Sequence, residues 1–346
     1  MKHFVKFPSI EQFRNVIGSV ARKYNFVGLD ENGDPIYDNT KPKPVLSFRG
    51  TVKLHGTNAG ICFNNIAGYW YQSRERIISV ENDNYGFASF CEERASRFKE
   101  LFVAISNQHN IDMDKFTISI FGEWCGKSIQ SNVAISELPK SFYIFGVKVS
   151  PIDGDDENRS NGSYWVDYNG FRDNDFGIYN ILDFETFSID VDFNMPELSQ
   201  NKLIELTEYV EKECPVGKHF GISGIGEGIV WDISVNGDVY LFKTKGERHS
   251  VSKVKTVAPV DVERLNGIVE FIDYAVTENR FNQALENVFF NNEPIDVKKL
   301  GDVIKWVMGD IIKEETDTMD KNGLSPKDIG TYVSDKVRKM FFAKSV

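Results

Sequence analysis

Between residues 44 and 63 the chain reads as strand, tight turn and strand, with a lysine closing the first strand. Pro44, Val45, Leu46 and Phe48 form the apolar approach, which ends at Lys53 in the run Thr51-Val52-Lys53-Leu54-His55-Gly56-Thr57-Asn58. Gly56 permits the turn, and residues 60–63 begin the next strand. A lysine held at such a turn by rigid neighbours has what a nucleophilic amine requires. Taken alone, the run reads more readily as a solvated strand-end charge.

Further strands are expected at residues 67–73, 116–123, 142–149, 221–233 and 239–244, the last two joined by Asn236-Gly237-Asp238. Residues 9–23 predict a helix capped by Ser9 and Gln12, with Ile10, Phe13, Ile17 and Val20 on one face. Residues 87–106 predict an amphipathic helix carrying Phe87, Phe90, Cys91, Phe98, Leu101, Phe102 and Ile105, and residues 199–212 another. Residues 30–44 read as a loop. Residues 151–192, acidic and aperiodic, read as an insertion of loops and short strands. Past Val257 the pattern is purely helical, over 261–290, 296–315 and a last helix from Ser325 and Pro326 to near Phe342. The expected architecture is α+β: a mostly antiparallel-sheet domain over residues 1–256 and a small all-helical domain over 257–346.

Composition narrows the class. A chain of 346 residues with 41% hydrophobic residues can bury a sizeable core, and 27 phenylalanines favour sheet packing. The net charge of -11 excludes a uniformly basic surface but not a locally positive groove. Cys62, Cys91, Cys125 and Cys214 are far apart, and the five histidines show no zinc spacing, so a reduced, intracellular protein without structural zinc is expected. Neither a signal peptide nor a membrane span is apparent.

Chemistry-bearing residues cluster at strand ends. Arg74 and Arg76 follow the third strand. Glu123 sits within Phe121-Gly122-Glu123-Trp124-Cys125-Gly126, and Phe145 precedes Gly146. Glu227 lies between two glycines at a strand start, and Lys243 and Lys245 share one strand face. Two lysines side by side repel, and a triphosphate or nucleic-acid phosphate would relieve that cost. Each has a plainer reading. Glu123 and Glu227 fit turn residues, Lys243 and Lys245 a solvated face and Phe145 core. Arg74 fits a partner of Glu75 or Glu123, and His55 a turn histidine.

In this order the segments resemble the covalent nucleotidyltransferase superfamily of nucleic-acid ligases and capping enzymes. Its Lys-x-x-Gly core is matched by Lys53-Leu54-His55-Gly56. The extension His55-Gly56-Thr57-Asn58 resembles the RNA ligase 2 family of phages and trypanosome editing ligases, where DNA ligases typically carry Asp in place of His55. Phe121-Gly122-Glu123, Ile129-Gln130-Ser131-Asn132-Val133, Phe142-Tyr143-Ile144-Phe145 and Glu227-Gly228-Ile229-Val230 are similar to family segments. So is the run from Phe242 through Lys243-Thr244-Lys245-Gly246-Glu247-Arg248 to His249. Two departures stand out. Asp232 replaces a phosphate-contacting lysine that often follows the Glu227 segment, and residues 151–192 match no family segment.

The resemblance implies an antiparallel-sheet nucleotidyltransferase domain of the ATP-grasp-like ligase type, followed by the helical domain. It implies an ATP-dependent RNA ligase in which the Lys53 amine attacks the α-phosphorus of ATP and expels pyrophosphate. AMP then passes to a 5′-phosphate RNA end, and a 3′-hydroxyl displaces it. The amine must be neutral, although free lysine titrates near roughly 10.4; neighbouring cations would depress that value. Glu227 is the implied metal-side carboxylate for Mg²⁺, or Mn²⁺, with Lys243 and Lys245 catalytic on the α-phosphate. Glu123 is implied on the ribose, Phe145 on adenine, and Leu54, Asn58 and Arg74 in the rest of the nucleotide site, the last two on phosphates. The implied partners are ATP and RNA with 5′-phosphate and 3′-hydroxyl ends. A nick in duplex RNA is favoured because helices stand where other members append a barrel. The rivals are a ligase for single-stranded ends such as cleaved tRNA, and a non-catalytic nucleotide- or RNA-binding module. The basic run Lys243, Lys245, Arg248, His249, Lys253, Lys255 fits backbone contact. A cytoplasmic monomer is expected (host cytoplasm if phage-encoded), with no membrane partner.

Overall fold

The structure, a computed structural model, describes residues 2–153, 161–235, 237–249, 261–289 and 294–344. Its strands are β1 (Glu11–Gln12), β2 (Phe26–Leu29), β3 (Pro35–Tyr37), β4 (Val45–Lys53), β5 (Thr57–Asn64), β6 (Gly68–Ser73) and β7 (Ile77–Ile78). They continue as β8 (Phe116–Cys125), β9 (Ser141–Pro151), β10 (Tyr164–Val166), β11 (Ile178–Asn180), β12 (Thr186–Asp192), β13 (Gly228–Val235) and β14 (Asp238–Lys245). Two units emerge: Met1–Val16 with Leu46–Asp190 and Lys202–Ala258, and Ile17–Val45 with Val191–Asn201 and Pro259–Val346.

The first unit holds two sheets. One runs β1-β14-β13-β4-β12; the other runs β10-β9-β8-β5-β6-β7, with β11 on β9. β4 and β5, consecutive in sequence, therefore lie in different sheets, and the turn after Lys53 carries the chain from one to the other. Most pairs are antiparallel, whereas β1 runs parallel to β14 and β11 parallel to β9. The fold class is α+β with antiparallel sheets and a helical carboxy-terminal region, as expected.

Alternation along the strands decides what each face covers. In the larger sheet Ile61, Tyr71, Ile118 and Ile120 point toward the helices Phe87–Glu93 and Ala95–His109, burying Phe98, Phe102 and Ile105. The neighbouring Cys62, Trp70 and Phe121 face the other way and meet Val5 and Phe7 of the amino-terminal segment. In the smaller sheet Trp231 is fully buried beside Phe242, their ring centroids 6.1 Å apart. Its indole N–H donates to the Thr244 hydroxyl at 3.1 Å, which also lies 2.7 Å from that of Thr207 on the helix Gln200–Lys212. A buried indole finds its partner and ties this helix to the sheet.

Several boundaries differ from the sequence expectation. Ser9 does not cap a helix: Glu11 and Gln12 pair with Phe242 and Lys243, and the helix begins at Phe13. Backbone pairing on an open sheet edge outweighs local helix propensity there. The expected loop at 30–44 contains β3, paired with β2. The 87–106 helix breaks at Arg94 (φ -115°, ψ 22°), and residues 221–227 are not strand. The 151–192 segment is no mere insertion, since it supplies β10, β11 and β12.

The second unit contains the carboxy-terminal helices. The expected single helix over 261–290 is two, Val262–Ala275 and Glu278–Val288, the second capped by the Thr277 hydroxyl accepting from Arg280 N–H. Arg280 is largely buried and pairs with Asp310 at 2.8 Å and Glu315 at 3.0 Å, fixing this break against Leu300–Glu314. Ser325 donates both its backbone N–H and its hydroxyl to the Asp328 carboxylate at the start of Pro326–Lys344, where the helix was expected to begin. No helix among the described residues is long and apolar enough to cross a membrane.

Gly228 opens β13 at φ +150°, and a Cβ there would stand 2.1 Å from the Thr244 carbonyl oxygen. Gly228→Ala is therefore expected to destabilise the first unit by roughly 2–3 kcal/mol, read as a lowered denaturant midpoint. An unchanged midpoint would contradict the close β13–β14 approach.

Candidate active site

Lys53 ends β4 where the chain changes sheets, and its register partner on β13 is Gly228. Gly228 in turn faces Lys245 on β14. This row leaves Glu227, one residue before β13, under both lysines. Glu227 is only 2% exposed, with Lys53 Nζ and Lys245 Nζ each 2.7 Å from its carboxylate and His55 Nδ1 at 3.1 Å. Burial alone would raise its pKa, but the bond to His55 and the charges and bonds of Lys53 and Lys245 hold it well below the usual carboxylate range. Lys243 stands one row along the same face, opposite Val230. Its amine is lowered by burial and by the charges of Lys245 and Lys53.

The second carboxylate comes from the other sheet. Glu123 lies on β8 opposite Asn58 of β5 and accepts the Gly56 N–H at 3.0 Å. A Cβ on Gly56 would sit 2.4 Å from the Trp124 carbonyl oxygen, so only glycine permits this approach. Burial, with the charge of Glu227, pushes Glu123 up to about 7 against the opposing pull of Lys53, the Gly56 N–H and His55.

These groups lie at one end of a cavity of about 670 Å³ between the two sheets, within the size range of small-molecule sites (about 300–1,000 Å³). Lys53, Leu54, Asn58, Arg74, Glu123, Phe145, Lys243 and Lys245 all line it. Phe145 enters through a β-bulge: Phe121 pairs with Gly146 and Gly122 with Ile144, so Phe145 is the extra residue. Its ring meets Phe7 edge-on at 5.0 Å. Arg74 pairs with neither Glu75 nor Glu123; it donates to the Pro8 carbonyl at 3.3 Å. Lys253 and Lys255 of the basic run lie outside the described residues.

Part of the lining had no sequence expectation. Pro8, Ser9 and Ile10 wall one side, following a strap on which both backbone groups of Val5 bond the Gln72 side chain. Trp165, Asp167 and Tyr168 come from the segment read as an insertion. Thr51 and Arg49 also line it, and their even spacing from Lys53 on one strand was the available signal. Asp232 is paired with Arg49 at 2.9 Å directly across β4–β13.

A family model for RNA ligase matches residues 47–245, more than half of the chain. The chain belongs to the RNA ligase family. The matched span contains every site residue above from Arg49 to Lys245. No curated protein sequence matches the chain. Solved structures similar to it include a Naegleria gruberi RNA ligase with PPi, 15% identical with a TM-score of 0.42. A mutant of that ligase with ATP and Mn is 14% identical with a TM-score of 0.44. In both cases the match covers 72% of this chain and 58% of the other, so the chain spans less than two thirds of their length.

The raised Glu123 sets a pH test. A native carboxyl at about 7 keeps a proton that the unfolded chain releases near 4.5, so stability falls as pH rises between those values. Glu123→Gln keeps an acceptor for Gly56 and removes the charge. Its stability relative to wild type should rise from pH 5 to pH 8 by on the order of 1–3 kcal/mol, read from urea midpoints. A constant difference across that range would show that Glu123 titrates normally.

Proposed function

We propose that the chain is an ATP-dependent RNA ligase with Lys53 as its nucleophile. The observation that carries this reading is the convergence of Lys53, Lys245 and His55 on buried Glu227, at the end of a nucleotide-sized cavity. The Lys53 amine attacks the α-phosphorus of ATP; the new N–P bond replaces the bond to pyrophosphate, which leaves. AMP moves next to the 5′-phosphate of an RNA end, freeing Lys53, and a 3′-hydroxyl attacks that phosphate and expels AMP.

The resident residues divide the work. The amine reacts only as the free base, and its 2.7 Å contact with the Glu227 carboxylate must give way when it turns to the α-phosphorus. Lys243 and Lys245 hold the α-phosphate and balance its charge, with Asn58 and Arg74 on further phosphates. Glu123 binds ribose hydroxyls, Phe145 stacks on adenine opposite Val230, and the backbone at Leu54 closes the site.

Among the described residues no cluster of three ligating side chains exists that could cage a metal alone. Glu227 fits the mode in which one or two carboxylates and substrate phosphates share an Mg²⁺ or Mn²⁺ ion, provided it exchanges a lysine contact for the ion. Such an ion would neutralise charge on the phosphates.

Nicked duplex RNA is the proposed substrate, supported by the helices that follow the nucleotidyltransferase body in place of a barrel. The domain division proposed is residues 1–256 and 257–346. Incubation with α-labelled ATP and Mg²⁺ should yield an acid-labile, alkali-stable protein–AMP adduct. EDTA should abolish it. Lys53→Ala should abolish it too while its far-UV spectrum and melting cooperativity match wild type. No adduct from wild type under any divalent ion would leave a nucleotide- or RNA-binding module. With nicked duplex and single-stranded 5′-phosphate RNA compared, circularised single strands beside an unsealed nick would assign the single-strand reading instead.

A further inference from the structure

The cavity has two ends of opposite character. At one end Lys53, Lys243, Lys245 and Arg74 outnumber the carboxylates near them, Glu227, the partly protonated Glu123 and, beside Lys243, Glu11, an excess of positive charge suited to phosphate. Two register rows along the same strands, Arg49 faces Asp232, with Leu241 beyond it on β14. Four residues of strand separate Lys53 from Arg49, roughly 13 Å, comparable to the length of a nucleoside monophosphate from phosphate to far base edge. Tyr168, beside Arg49, and Leu241, opposite Asp232, wall this end with largely apolar surface.

Arg49 is not a spare cation there. Its Nη2 lies 2.9 Å and its Nε 3.3 Å from the two oxygens of Asp232, and its guanidinium lies 5.6 Å from the Tyr168 ring centroid. Asp167 adds a second carboxylate to the same lining. This end therefore carries no net positive charge, and a phosphate gains nothing from it. A fixed donor beside a fixed acceptor, both partly open to the cavity, instead matches the hydrogen-bonding edge of a base.

We infer that the Arg49–Asp232 pair reads the base edge of the nucleotide and sets selection for a 6-aminopurine over a 6-oxopurine. The inference rests on the nucleotidyltransferase reading and adds a specificity-determining pair to it. Adenine offers an amine donor beside a ring-nitrogen acceptor: Asp232 accepts from the amine and Arg49 donates to the ring nitrogen. A 6-oxopurine inverts that order, setting its carbonyl oxygen against the carboxylate and its ring N–H against the guanidinium. Each mismatch leaves a desolvated group without a partner.

The test compares labelled ATP with labelled ITP, which differ only in the 6-substituent and the proton on the adjacent ring nitrogen, as donors to Lys53 in wild type, Asp232→Asn, Arg49→Gln and the double variant. Wild type should prefer ATP in adduct-formation kcat/KM, and each variant should reduce that ATP/ITP ratio by about tenfold or more. A pair that only braces β4 against β13 would lower melting temperature, or both rates alike, and leave the ratio unchanged; that result overturns the inference. The wild-type ATP adduct is the control that separates the two readings. Its absence defeats the nucleophile assignment, whereas its presence with an unchanged ratio defeats only the base-reading pair.

Discussion

The buried carboxylate of Glu227 is the interaction around which the first unit is organised. A charge at 2% exposure is tolerated only when its oxygens are satisfied, and here Lys53, Lys245 and His55 do so. Those partners come from three places: the end of β4, the turn that leaves it, and the end of β14. Their meeting requires β13 to lie between β4 and β14, the order found in the smaller sheet. The ion cluster and the sheet order thus depend on each other.

From that cluster an electrostatic gradient runs through the cavity. Cations exceed carboxylates at the Lys53 end, while at the other end Arg49 is matched by Asp232 and Asp167. The two sheets divide the tasks accordingly. The smaller sheet supplies charge on alternate residues of β4, β13 and β14. The larger sheet supplies Glu123 and, through a bulge, the ring of Phe145. A molecule with a phosphate at one end and a flat base at the other is complementary to this arrangement.

Much of the body was legible because its strands are marked by apolar runs punctuated by glycine. β4, β6, β8, β9 and β14 fall close to their expected bounds. The departures share a cause. Glu11 and Gln12 carry no strand signal of their own and became strand because β14 offered an open edge. Residues 151–192 lack periodicity because β10 and β11 are only three residues long, both pairing with β9, while β12 joins β4 in the other sheet, so no amphipathic pattern accumulates. The strap at Val5 is held by one polar side chain, Gln72, at a separation no local pattern reports.

The sequence alone determined that Lys53, Glu123, Phe145, Glu227, Lys243 and Lys245 stand at strand ends or on strand faces, since glycine positions and two-residue alternation are local properties. It also determined the change from sheet to helix, β14 ending at Lys245 and α-helices running from Val262 onward. Only the tertiary structure decided that β4 and β5 belong to different sheets, so that the Lys53 turn closes one end of a cavity between them. It likewise decided that Asp232 answers Arg49, and that His55 bonds Glu227 instead of merely filling a turn. These outcomes depend on strand register across about 170–180 residues of separation, as in the Lys53–Glu227, His55–Glu227 and Arg49–Asp232 contacts, and pairing at that distance is set by the packed sheet as a whole.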